Sequence, residues 1–280
     1  MDEGAQPSGE QFAFVSKILM DDGPPTGNRT DVAVFPMSIP APTPRYRLHI
    51  DSSARPGLSG RDRHGSHTRR LSRRFVDRWS ALRSQDAVTY RDVGAAPPSP
   101  VSAAWIAAAF CPPDRRDDVQ RAVLAESDRL TAALMAADLL VIGAPMYNFG
   151  LPAQLKAWID NVVRVNGTFG FDRARADVPD WPLLAPGRRL VILTARGDFG
   201  YDPGGRLAAI SLVEAGLKVP LAYIGLTDSE IVAAEYDEFA DARLSASIAP
   251  AEKAVDRLVE RLCSDLGAWR AVASALESSS

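Results

Sequence analysis

Residues Gly143-Ala-Pro-Met-Tyr-Asn-Phe-Gly150 follow an apolar run of strand length, 139–142, and precede an amphipathic stretch that opens with Leu151 and Pro152. A loop between a strand and a helix, at the strand's carboxyl end, is where open α/β sheets build ligand sites. This loop carries backbone N–H groups, the Asn148 amide and the flat or polarisable side chains of Met146, Tyr147 and Phe149. Such a set suits a planar ring bearing negative charge, with donors at its edge and apolar contacts on its faces. Pro145 and Gly150 shape the turn so that the backbone can approach closely. A second group lies earlier, where Ser52 and Ser53 follow a strand and Ser66-His67-Thr68 begins a helix. Hydroxyl groups beside free N–H groups at a helix start, with the helix dipole behind them, favour an anion. The same residues also suit an ordinary N-cap by Ser66.

The elements that must position these loops can be read from periodicity. Tyr46-Arg-Leu-His-Ile-Asp51 alternates as a first strand. A helix is expected over 68–83, with Leu71, Phe75, Val76, Trp79 and Leu82 on one face. Strands follow at 87–91, 139–143, 190–194 and 230–235. Helices are expected near 105–110, over 114–136, after Leu151, over 204–217 and over 250–269. Strands alternating with helices imply βαβ units and a parallel sheet covered on both faces.

Composition narrows the function classes. The chain has 280 residues, 46% of them hydrophobic, enough for one large buried core. A net charge of −3 gives no reason to expect nucleic acid as a partner. Cys111 and Cys263 are far apart, which offers neither a metal site nor a disulfide framework and points to a reducing cytoplasm. No apolar run is long enough for a membrane span. Asp2 and Glu3, with Ser16 and Lys17 inside 12–20, do not make a secretory signal. Residues 1–44, rich in Gly, Pro, Ser and Asp, read as a flexible extension, with Met37 as an alternative start; 45–270 is the folded domain and 271–280 a frayed tail. Gly57, Gly60 and Gly65 are too widely spaced for a dinucleotide-binding G-x-G-x-x-G, and no Walker A lysine is present. The arginines at 61, 63, 69, 70, 73, 74 and 78 read as a solvated helix face, and His49 as a buried strand residue.

The loop at 143–150, continuing through Gln154, Leu155, Lys156 and Asp160, resembles the flavin-ring loop of FMN-dependent NAD(P)H:quinone oxidoreductases and azoreductases. The resemblance spans roughly 45–266. It implies a flavodoxin-like fold, a five-stranded parallel sheet in the order 2-1-3-4-5 whose switch point binds FMN. Ser52, Ser66 and Thr68, with the His67 N–H, would hold the FMN phosphate; Pro145, Met146, Tyr147, Asn148 and Phe149 would meet the ring. Ala195, Arg196 and Gly197 match the family's loop along the pyrimidine edge, although Ala195 lacks the usual hydroxyl and Asp198 replaces a small residue. Phe169 and Phe171 would face a planar acceptor. The implied activity is transfer of two electrons from NADH or NADPH through FMN to a quinone, azo compound or related aromatic acceptor, by a homodimer. No residue is assigned as a general acid; Tyr147 and Asn148 would tune or orient the flavin. The alternatives are a reductase of one pathway-specific aromatic intermediate, and an FMN-binding protein that is non-catalytic or carries single electrons.

Overall fold

The structure, a computed structural model, describes residues 45–175 and 177–265. The expected extension at 1–44 and tail at 271–280 lie outside the described residues. Five parallel strands form one sheet: β1 (Tyr46–Asp51), β2 (Ala87–Asp92), β3 (Leu139–Pro145), β6 (Arg189–Ala195) and β7 (Asp228–Ala234), in the order β2-β1-β3-β6-β7. This is the expected 2-1-3-4-5 order once a separate antiparallel pair, β4 (Phe169–Phe171) and β5 (Asp180–Pro182), is set aside. That pair was not expected, because three-residue strands are too short to show a period.

Alternation along β3 and β6 supplies both faces of the core. Leu140, Ile142, Leu190 and Ile192 join Leu155, Trp158 and Ile159 of α4 (Ala153–Val162) and Val213, Leu217 and Leu221 of α5 (Val213–Tyr223). Leu139, Val141, Val191 and Leu193 join Leu71, Phe75 and Trp79 of α1 (His67–Leu82) and Val255, Leu258, Val259 and Leu262 of α6 (Ala242–Ser264). A parallel sheet buried on both faces requires this near-continuous apolar sequence. Two further helices, α2 (Ala103–Phe110) and α3 (Asp118–Ala136), complete the fold. A 3₁₀ turn at Pro113–Arg115 precedes α3, and Asp117 and Gln120 close a capping box at its start, so this helix begins later than expected.

Two helix boundaries differ more. The segment 204–212 is turns and one 3₁₀ turn, Ala208–Ile210, and α5 starts only at Val213. Gly204 sits at φ 83°, and a Cβ on Gly205 would lie 2.4 Å from the Gly200 carbonyl oxygen, so these glycines serve a turn. Helix α6 begins at Ala242, capped by Asp241, and runs straight through Pro250. The buried stripe Ile248, Ala251, Val255 and Leu258 outweighs one missing N–H bond.

The register places the site. Asp51 pairs with Gly143, Pro145 with Ala195, and Ala195 with Ala234. The carboxyl ends of four strands therefore lie in one row, and every loop of interest leaves the sheet at that edge.

Candidate active site

A cleft of about 350 Å³ opens at that edge. Ser53, Arg55, Ser66, His67 and Thr68 line one side, Pro145 to Asn148 and then Ala195 and Gly197 the other, with Asp237 and Glu238 beyond. The structure thus brings together nine of the expected residues: Ser66, His67, Thr68, Pro145, Met146, Tyr147, Asn148, Ala195 and Gly197.

The helix start is built for an anion. Ser66 is the N-cap of α1; its Oγ accepts from the Arg69 N–H and lies 2.9 Å from Thr68 Oγ1. The first-turn N–H groups of His67 and Thr68 have no helical partner, as at every helix start. His67 Nδ1 lies 2.8 Å from Ser59 Oγ, and Nε2 lies 3.2 Å from Asp237 Oδ1. That contact, first, and the nearby Arg55 guanidinium hold the Asp237 carboxyl below the usual range despite burial. The long connection at 54–65 folds back on itself: Leu58 N donates to Asp62 Oδ2, Asp62 N to the Leu58 carbonyl, and Leu58 bridges to Ser66.

The turn at 147–150 closes on itself. Tyr147 N donates to the Gly150 carbonyl and Gly150 N to that of Tyr147, each at 3.0 Å. Asn148 and Phe149 both take positive φ, 48° and 67°. Asn tolerates that region; a bulky aromatic does so only under strain. Tyr147 Oη accepts from Ala54 N at 3.1 Å and so ties this turn to the loop after β1. Met146 N donates to the Ala195 carbonyl. Gly143 is required beneath, since a Cβ there would stand 2.5 Å from the buried Asp51 carboxylate.

Several expected residues stand elsewhere. Ser52 is fully buried and its Oγ donates to the Gly143 carbonyl, so Ser53 is the serine that faces the cleft. The Arg196 side chain does not reach the cleft. It is buried and donates to Glu214 Oε1, Asp202 Oδ1 and Glu235 Oε1. The Arg196 carbonyl accepts from Asp237 N, and the Gly197 carbonyl from Glu238 N. The residue therefore braces the two loops from below. Asp198 pairs with Arg206, whose hydrogen bond, ahead of its charge, holds the Asp198 carboxyl below the usual range, and it does not line the cleft. Phe149 is half exposed outside the lining. Phe169 packs edge-on to Tyr223, and Phe171 is exposed on the hairpin; neither lines the cleft.

Arg55, Asp237 and Glu238 are cleft residues that sequence reasoning missed, and Ser53 takes the place expected of Ser52. Asp237 and Glu238 follow the end of the fifth sheet strand, a position where this architecture places ligands. No spacing signal marks them. Glu238 can lie across Gly197 because a Cβ there would be 2.3 Å from Glu238 Oε1. The expected basic face is paired: Arg70, Arg74 and Arg78 of α1 meet Glu252, Asp256 and Glu260 of α6.

A doubly wound sheet with an anion-ready helix start and a ring-sized cleft at its switch point defines the flavodoxin-like class of protein, and the flavodoxin-like fold family matches residues 48–258. An FMN-dependent NADH:quinone oxidoreductase of Colwellia psychrerythraea is 40% identical over 215 residues, covering 77% of this chain and 98% of that one. The enzyme so named from Opitutus terrae is 46% identical over 198 residues, 70% of this chain and 92% of its own. An azoreductase structure from Bacillus anthracis shares the fold at TM-score 0.66 and 18% identity, covering 78% of this chain and 99% of that one. The chain belongs to the family of FMN-dependent NADH:quinone oxidoreductases.

Proposed function

We propose that this chain is an FMN-dependent oxidoreductase that moves two electrons from NADH or NADPH to quinones, azo compounds or related aromatic acceptors. The observation that carries the reading is the meeting, in one cleft, of the α1 N-terminus at Ser66–Thr68 with the turn at Met146–Asn148. The donor set fits FMN: hydroxyls and unpaired N–H groups for its phosphate, and backbone N–H groups with Met146 and Tyr147 for its ring. Bound there, FMN supplies hydride exchange between a nicotinamide donor and the acceptor.

The chain's own residues position and tune. Ser53, Ser66, His67 and Thr68 hold the phosphate end. Asn148 and the turn around it offer donors to the ring edge. Pro145, Met146, Ala195 and Gly197 wall the ring. Asp237 and Glu238 suit hydroxyl donors of the ribityl chain, since ionised carboxylates only accept. No side chain in the cleft is needed as a general acid, because water reaches an open site. We place the enzyme in the cytoplasm as a homodimer. Phe169 and Phe171 serve an acceptor only across such a dimer, since neither lines the cleft of its own chain.

The test is an absorbance spectrum of the FMN-loaded protein before and after anaerobic NADH and, separately, NADPH. Rapid bleaching to the two-electron form, reversed by a quinone, is expected, and the faster coenzyme names the donor. A flavin that neither coenzyme bleaches would favour the carrier or non-catalytic reading. A protein that takes up no FMN would remove the cofactor assignment.

A further inference from the structure

Arg69 lies one layer behind the cleft, and its side chain is 7% exposed. All five of its N–H donors are engaged. Nε donates to the Arg55 carbonyl at 2.9 Å and one Nη to the Ser53 carbonyl at 2.8 Å. The remaining donors meet both oxygens of Asp92, at 2.6 and 2.7 Å, and Tyr90 Oη at 3.1 Å. Asp51 stands 3.7 Å away. The two carbonyls that Arg69 holds belong to Ser53 and Arg55, the two residues of the loop after β1 that line the cleft. Gly94 makes room for this grip: a Cβ there would lie 2.1 Å from the Ser53 carbonyl oxygen.

We propose that Arg69 is a positioning residue for the cofactor's phosphate end: by drawing the Ser53 and Arg55 carbonyls inward, it turns the opposite side of that loop toward the anion. The proposal rests on the FMN reading above. Its physical basis is shape and not charge. Asp92 and Asp51 already neutralise the guanidinium, so little of its field reaches the cleft. What Arg69 contributes is a planar fork that meets two carbonyls and one carboxylate at fixed angles. A lysine has three donors around a point charge and cannot reproduce that fork. The ring end of the cleft is built from the 145–148 and 195–197 segments, to which Arg69 makes no hydrogen bond; the one tie between the two ends is the Ala54 N–H bond to Tyr147 Oη. Loss of the grip should therefore weaken recognition of the phosphate much more than recognition of the ring.

Riboflavin, which has the ring and ribityl chain but no phosphate, separates the two. The experiment titrates wild type, Arg69→Lys and Asp92→Asn with FMN and with riboflavin, reading quenching of flavin fluorescence. The wild-type chain should prefer FMN. In Arg69→Lys the FMN affinity should fall by about tenfold or more while riboflavin affinity changes by less than about threefold. Asp92→Asn keeps the arginine but loosens its anchor, and it should show the same selective loss in smaller degree. It also decides the matter if Arg69→Lys does not fold. Equal losses for both flavins would assign Arg69 a general structural role and overturn the proposal. An unchanged FMN affinity would overturn it as well. A wild-type chain that binds neither flavin overturns the cofactor reading itself, a different failure.

Discussion

Phe149 shows what a single residue contributes to this site. With φ at 67° it holds a conformation that glycine adopts freely and that an aromatic side chain adopts only at a cost of about 1–3 kcal/mol. The strain persists because the turn is fixed from outside: Tyr147 and Gly150 exchange two backbone bonds, and the Phe149 carbonyl accepts from Leu212 N. Strained residues of this kind gather where a loop is shaped for a ligand. The strain can be measured with two substitutions that remove the same ring. Phe149→Gly relieves the left-handed backbone; Phe149→Ala keeps it. Ordinarily Ala is the more stabilising of the two, because glycine frees the unfolded chain. Here the order should reverse, with the Gly variant more stable than the Ala variant by about 1 kcal/mol in urea denaturation. An Ala variant as stable as the Gly variant would mean that position 149 is not held left-handed. Arg196 makes the complementary point. Its place in a loop resembling a flavin-edge loop was legible, and its side-chain direction was not. That direction is set by Asp202, Glu214 and Glu235, which come from three different segments and converge only after folding.

Between elements, buried polar groups do much of the joining. Asp86, just before β2, has a fully buried side chain that accepts from Arg45 N in front of β1, from Trp79 Nε1 in α1 and twice from Arg83. Burial alone would raise its pKa, but the Arg83 guanidinium, the Arg45 N–H and the Trp79 indole hold it below the usual carboxylate range. A carboxylate depressed in the folded state contributes stability that is fully present above its unfolded pKa and is lost as pH falls through the folded value. Asp86→Asn should therefore cost about 3 kcal/mol at pH 7, measured by urea denaturation. The gap from wild type should narrow as pH drops below about 4, the unfolded carboxylate range. A gap that stays constant down to pH 3 would show that this carboxylate is not ionised in the fold. Elements of this kind differ in how far local pattern reveals them. The central strands β1, β3 and β6 were readable because each buries an apolar run, and α1 because Leu71, Phe75 and Trp79 recur on one face. The starts of α5 and α6 were not readable. Turns around Gly204 and Gly205 and a cap by Asp241 decide them, and Pro250 is carried inside a helix by burial on the far side. The cleft's Asp237 and Glu238 were hidden for the same reason: their place depends on backbone bonds to Arg196 and Gly197.

At the scale of the whole molecule, one surface among the described residues stands out. Val101, Trp105, Ile159, Val163, Leu212 and Val219 line an apolar groove of about 600 Å³ between α2, α4 and the start of α5. Within it Val219 is 69% exposed, while the Trp105 indole N–H is buried without a partner. A contiguous exposed apolar face of this kind marks an interaction surface. The proposed homodimer accounts for it, since a second copy would cover those side chains. Nothing in the cofactor cleft comes from that face: its lining belongs to the loops after β1, β3, β6 and β7. Assembly and flavin binding should thus be separable. Sedimentation at tens of micromolar should give a dimer for the wild-type chain, with the double variant Val101→Asp, Val219→Asp sedimenting as a monomer. That monomer should still take up FMN with an affinity within about threefold of wild type, since both positions line the groove and neither lines the cleft. Its quinone reduction should fall if the acceptor site uses the partner's aromatic side chains, as proposed above for Phe169 and Phe171. A wild-type monomer would remove the dimer, and with it any role for that aromatic pair at the acceptor. A double variant that stays dimeric would move the interface to another face and leave the groove without an assigned partner.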